Sequence, residues 1–262
     1  MRYASFLSAM LAAICLSFTS MIVLAADEAS NDVQALTERA LAGDDEAAFQ
    51  LGKIYGAGEL VELDYGQAVK WYQTSAEQGN NKAQVNLGFM HFDGRGVGRD
   101  YAEAAKWYRK AAEQDDLIAQ TNLAAMYKSG QGVEQDFSEA LKWYLAAAEQ
   151  GDVASQAEVG SLYAQGKGGE QDYQEALKWL RKAADERNPE AQTNLGYMYE
   201  KGLGVEQSHE TAVKWYMAAS DQGYALAQNS MGWMYANGDG VPKDAKEATK
   251  WFNKASASAA RR

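Results

Sequence analysis

Cysteine occurs once in the 262 residues, at Cys15, and proline and histidine occur twice each. A single thiol excludes a disulfide framework and a cysteine-built metal site. The two histidines, His91 and His209, stand far apart, so their spacing supports no shared metal ion. Cations are also scarce, with 25 Lys and Arg against 36 Asp and Glu and a net charge of -11. That balance argues against nucleic-acid binding through many phosphate contacts, and it favours solubility and basic partners. His-Glu-x-x-His, Gly-x-Ser-x-Gly, Ser-x-x-Lys and Walker motifs are all absent from the sequence, so common hydrolytic and nucleotide chemistries lack their residues. What is present, 47% hydrophobic residues and 11% aromatics, is the composition of a folded chain, not a disordered one.

No charge appears between Arg2 and Asp27, and the apolar run between them ends in Ala25-Ala26. This predicts a secretory signal peptide over residues 1–26, cut after Ala25 or Ala26, with an uncleaved anchor as the alternative. Ile14, directly before Cys15, does not suit a lipoprotein signal. Cleavage removes Cys15 and leaves a periplasmic or secreted chain without cysteine and without membrane insertion.

Six of the seven tryptophans, Trp71, Trp107, Trp143, Trp179, Trp215 and Trp251, are each 36 residues apart. On that register Leu87-Gly88 recurs as Leu51-Gly52, Leu123-Ala124, Val159-Gly160, Leu195-Gly196 and Met231-Gly232. A chain repeating at this period is an array of small units stacked on their neighbours. Each unit reads as two helices. Ala83, Leu87, Gly88 and His91 form a helical stripe closed by the turn Gly94-Arg95-Gly96-Val97. Asp100 with Glu103 forms a capping box that opens the second helix, whose buried stripe is Ala104, Trp107, Tyr108, Ala111 and Ala112. The predicted fold is all-α: a right-handed α-solenoid of six 36-residue helix pairs over 44–258, preceded by a capping helix over 27–43. Residues 259–262 form a frayed tail, and fraying is expected from Lys254 onward.

The pattern Ala-x-x-x-Leu-Gly-x-x-Tyr-x-x-Gly-x-Gly-Val-x-x-Asp-x-x-x-Ala-x-x-Trp-Tyr-x-x-Ala-Ala resembles the Sel-one-like repeat family of tetratricopeptide-like solenoids. Residues 83–112 carry it almost letter for letter, with His91 in place of Tyr. The resemblance implies a noncatalytic adaptor or scaffold that binds proteins, in the cell envelope for exported bacterial members. The alternative it implies is an immunity protein that neutralises a secreted toxin; an envelope hydrolase is a remote third reading. A cysteine-rich branch linked to β-lactams does not extend to this chain, which lacks its cysteines. No cofactor and no metal are implied.

Two rows of first-helix positions vary between copies while their surroundings repeat. One is Gln50, Asn86, Asn122, Glu158, Asn194 and Ser230; the other is Lys53, Phe89, Ala125, Ser161, Tyr197 and Trp233. Three residues apart, they share a helical face opposite the packed stripe. Asn86, Asn122 and Asn194, with the rings of Phe89, Tyr197 and Trp233, are candidate binding residues: amides for backbone hydrogen bonds, rings as anchors. The asparagines could equally bridge neighbouring helices. The expected partner is a protein or peptide of basic character, the expected state a monomer. Lys70, Lys106, Lys142, Lys178, Lys214 and Lys250 line up beside the tryptophans, either as an anion track or as a solvated helix edge.

Overall fold

The computed structural model describes residues 31–260, so the predicted signal segment and its cleavage point lie outside the described residues. Every regular element in that range is a helix. The described residues divide into two compact units, the first ending at Asp116 and the second beginning at Leu117. The first holds α1 (31–41), α2 (Asp45–Ala57), α3 (Tyr65–Glu77), α4 (Asn81–Asp93) and α5 (Tyr101–Ala112). The second holds α6 (Leu117–Ser129), α7 (Phe137–Glu149), α8 (Val153–Gln165), α9 (Tyr173–Asp185), α10 (Pro189–Lys201), α11 (His209–Ser220), α12 (Ala225–Asn237) and α13 (Ala245–Ala259).

Within each unit every helix packs on its chain neighbours, and in the second unit α10 also touches α8 and α12 directly. First helices therefore line one side of that unit. Small residues permit the approach: a Cβ on Gly196 would fall 2.6 Å from the ring of Tyr216 in the paired helix. The loop glycine Gly96 is needed for the same reason and for its φ of 69°, since a Cβ there would lie 2.2 Å from the carbonyl oxygen of Tyr65.

Each second helix begins on an Asp or Ser cap, as at Asp100, whose carboxylate accepts from the Glu103 amide at 2.9 Å. The reciprocal half of the expected capping box does not form. The Asp100 amide instead donates to the His91 carbonyl at 2.9 Å, and Asp136 does the same to Tyr127 at 3.0 Å, tying the second helix to the first. Released from capping, Glu103, Glu139, Glu175 and Glu247 each pair with the lysine three residues on: Lys106, Lys142, Lys178 and Lys250. Four of the six lysines in the row are thus neutralised along a helix edge, where Lys142 also lies over Trp143 at 4.8 Å, an arrangement that suits a solvated edge better than an anion track.

A buried amide ladder joins successive repeats. Gln84, Gln156, Gln192 and Gln228 each donate to a carbonyl of the preceding helix. The side-chain oxygens of Gln84, Gln120 and Gln192 accept from Gln114, Gln150 and Gln222, 30 residues further on, at 2.8–2.9 Å.

At the ends, Val33, Leu36 and Ala40 of α1 pack on Ala47, Ala48 and Leu51, as a capping helix would. The fraying expected from Lys254 is not found, because α13 stays helical through Ala259 with Ala255 buried.

Candidate functional site

A helix presents residues i, i+4 and i+7 on one face. In the first helices that face carries both predicted rows and a third that sequence reasoning missed: Glu46, Lys82, Ile118, Ala154, Glu190 and Leu226. All six members of the third row are exposed except Glu190, which is half-buried. The missing signal was available, since this row varies in charge and size at the same 36-residue period. Phe89 (44% exposed) and Asn86 belong to the first unit; Asn122, Asn194, Tyr197 (50%) and Trp233 (58%) belong to the second.

The asparagines are half-buried and do not bridge helices. Asn86 donates to the Lys82 carbonyl at 2.9 Å and Asn122 to the Ile118 carbonyl at 2.8 Å, each back into its own helix. Asn194 makes no such bond. Of the rings, Phe89 lies under the Arg95 guanidinium at 5.2 Å and Tyr197 beside the Lys201 ammonium at 5.9 Å. Trp233 meets Phe252 edge-on with centroids 5.4 Å apart, so its ring serves packing as well as display.

Two hollows open on this face at equivalent repeat positions, one in each unit. The first, of about 270 Å³, is lined by Lys53, Gly56, Asn86, Phe89, Met90 and Arg95, among others. The second, of about 200 Å³, is lined by Ser161, Ala164, Asn194, Tyr197, Met198 and Leu203, among others. Adding 108, three repeats, to each number of the first set yields the second. At the floor the pattern changes: Tyr72 in the first hollow, Leu180 in the second. Burial pushes the Tyr72 phenol up to about 12, so it stays a neutral hydroxyl. Each hollow has room for one apolar side chain beside an amide.

Beside the second hollow the face carries two carboxylates, Glu158 and Glu190. Lys128 of α6 grips both carboxylate oxygens of Glu158 of α8, at 2.6 and 2.7 Å. Glu190, in the first turn of α10, has neither an ion-pair partner nor a hydrogen bond. Burial, and after it the charge of Glu158, holds its carboxyl above the ordinary 4.5, with Lys128 working in the opposite direction. Tyr144 of α7, 6% exposed, turns its phenol toward the same carboxylates; burial first, then Glu158, Glu190 and Asp152, raises its titration above the usual tyrosine range. An acid raised in the folded state is stabilising when protonated, so the cost of Glu190 is absent below the ordinary 4.5 and grows as the pH rises through the raised value. Glu190→Gln is therefore expected to raise the denaturant midpoint at pH 7 and to leave it unchanged at pH 4. A gain of equal size at both values would mean that charge is not the cause.

The histidines stand apart from this face. His91 has a buried Nδ1 with no hydrogen-bond partner, while His209 opens α11 with Nδ1 3.7 Å from Asp239. Among the described residues no His, Cys, Asp and Glu group could hold a metal ion, and no helix is long and apolar enough to cross a membrane.

The Sel1 repeat model matches residues 45–80, 81–116, 117–152, 153–188, 189–224 and 225–259, in step with the helix pairs. A protective antigen of uropathogenic Escherichia coli, displaying an SLR fold, is 37% identical over 86% of this chain, with a TM-score of 0.74. The chain covers 48% of that antigen, about half its length. A Sel1 repeat protein from Oxalobacter formigenes is 35% identical, with 82% of this chain and 89% of that one aligned and a TM-score of 0.66. No curated protein matches the chain.

Proposed function

The chain belongs to the Sel1 repeat family, a protein-interaction fold, and from that premise we propose that it is a noncatalytic adaptor or scaffold of the bacterial cell envelope, binding a protein or peptide on the face of its first helices. The observation that carries this is the pair of equivalent hollows, each walled by an asparagine and a half-exposed ring: Asn86 with Phe89, and Asn194 with Tyr197. The loops keep their glycines in most copies but vary between them, and Arg95 and Leu203 from these loops help to line the hollows. Along the face the rows that begin at Glu46 and Lys53 change from copy to copy, while the row that begins at Gln50 keeps Asn at Asn86, Asn122 and Asn194.

The test is affinity capture from crosslinked envelope with the protein as bait, followed by titration calorimetry of the captured partner. Phe89→Ala or Tyr197→Ala is expected to cost about 1–3 kcal/mol of binding, the range of a modest hot spot. His91→Ala and His209→Ala should bind as the parent does. Ring variants that stay folded by circular dichroism and bind normally, while a histidine variant fails, would overturn the proposal. A set of resident envelope proteins is the capture expected of a scaffold; one dominant toxin would mark an immunity protein instead.

Export is part of the same proposal, supported by Arg2, the uncharged run and Ala25-Ala26. Intact mass of the periplasmic protein should show loss of the first 25 or 26 residues. A full-length mass, or retention in the membrane fraction, contradicts it.

A further inference from the structure

Resting on the peptide-binding reading above, we propose that the α8–α10 face selects an extended segment bearing a lysine or arginine two residues from an apolar side chain. The basic group docks at Glu190 and Glu158 and the apolar one enters the neighbouring hollow. Three observations define the basic position. The carboxylates of Glu158 and Glu190 face one another across α8 and α10 with a single cation, Lys128, which is already bound by both oxygens of Glu158. Glu190 is left as a half-buried carboxylate without an ion pair, an arrangement an incoming cation relieves. The Tyr144 side chain, 94% buried by its 6% exposure, directs a hydroxyl without a hydrogen-bond partner into the same group of carboxylates. That hydroxyl can accept from an ammonium or guanidinium that the carboxylates attract. Asp152, the third carboxylate near Tyr144, is committed to capping α8 through the Ser155 amide at 2.7 Å.

The apolar position is the hollow of Ser161, Asn194, Tyr197 and Leu203, whose lining carries no charge. Ser161 follows Glu158 by one turn on α8, and Asn194 and Tyr197 follow Glu190 by one and two turns on α10. At 1.5 Å per residue the acidic position and the hollow lie roughly 5–10 Å apart along the helices. Side chains two residues apart on an extended strand are about 7 Å apart and point the same way. The unbonded Asn194 amide lies between, placed to take the peptide backbone. The equivalent residue of Glu190 in the first unit is Lys82, and that of Glu158 is Gln50, so the first-unit hollow lacks the acidic pair and should not share the preference.

The probe is a phage-displayed library of random decapeptides panned on the full chain as purified from cells, with binding of the consensus peptide then measured by fluorescence anisotropy. The expected consensus has Lys or Arg two positions from Leu, Met or Phe. Replacing its basic residue by Gln should weaken binding about ten-fold. Glu190→Gln should weaken the parent peptide to a similar degree yet leave the Gln-substituted peptide unaffected. Tyr144→Phe keeps the ring packed and should weaken only the basic peptide, and Tyr197→Ala should weaken both while keeping the basic preference. Selected peptides without a basic residue, an unchanged preference in Glu190→Gln, or a library that yields no binder would each overturn this inference. The broader proposal fails by a different result, namely normal binding of the captured partner by the ring variants.

Discussion

Trp179→Ala is expected to lower the unfolding free energy by about 3–5 kcal/mol, the cost of emptying a large buried site, and Trp251→Ala by clearly less. Trp179 is 5% exposed, on a helix packed against both α8 and α10. Its ring is covered further by the Lys182 ammonium at 4.3 Å and the Lys178 ammonium at 5.6 Å. Trp251 stands at the same repeat position but is only half-buried, on a helix that packs chiefly on α12. In a repeat array stability is the sum of unit and neighbour terms, so the same truncation should cost most where neighbours cover the ring on both sides. Denaturant midpoints of the two variants, with the slopes checked for constancy, measure the difference. Equal losses would contradict the nearest-neighbour packing described for α9.

The turn between α9 and α10 should gain about 2 kcal/mol from two substitutions, Glu186→Gln and Arg187→Gly. Arg187 has φ of 63°, in the left-handed region, where four other copies of this turn place Gly43, Gly79, Gly151 and Gly223. Relief of that backbone conformation contributes about 1 kcal/mol. Glu186 occupies the position from which Gln114, Gln150 and Gln222 donate to the amide ladder, and a carboxylate has no proton to give. The Gln156 oxygen is accordingly buried without a partner, and so is that of Gln228, opposite Ser258. A restored bond contributes about 1 kcal/mol. Thermal unfolding of the single and double variants separates the two contributions; a neutral Glu186→Gln would refute the ladder's part in stability.

Helix pairing, loop glycines and the burial of Leu and Trp were legible in sequence because a 36-residue period presents each position six times. A repeated small residue beside a repeated ring has few physical readings other than close helix packing, and Gly196 against Tyr216 bears that out. Reciprocal capping was misread because Glu103 suits two partners equally. Sequence spacing does not reveal that the Asp100 amide already has the His91 carbonyl. The asparagine row was ambiguous for a related reason. An Asn can bond across helices or back along its own, and the choice depends on the distance between first helices, which no single repeat encodes. Glu190 went unnoticed because only the fold brings it to Glu158 and Tyr144, 32 and 46 residues away in the chain.

Binding through the first-helix face is tested most directly by hydroxyl-radical footprinting of the protein with and without its captured partner. Phe89, Tyr197 and Trp233 are 44%, 50% and 58% exposed, so each ring is open to oxidation in the free chain. Protection of Tyr197 and at least one other of these rings in the complex, with Leu60 and Leu63 of the first loop oxidised as before, is the predicted result. Rings that remain as reactive in the complex as in the free protein, with protection confined to the loops, would contradict it.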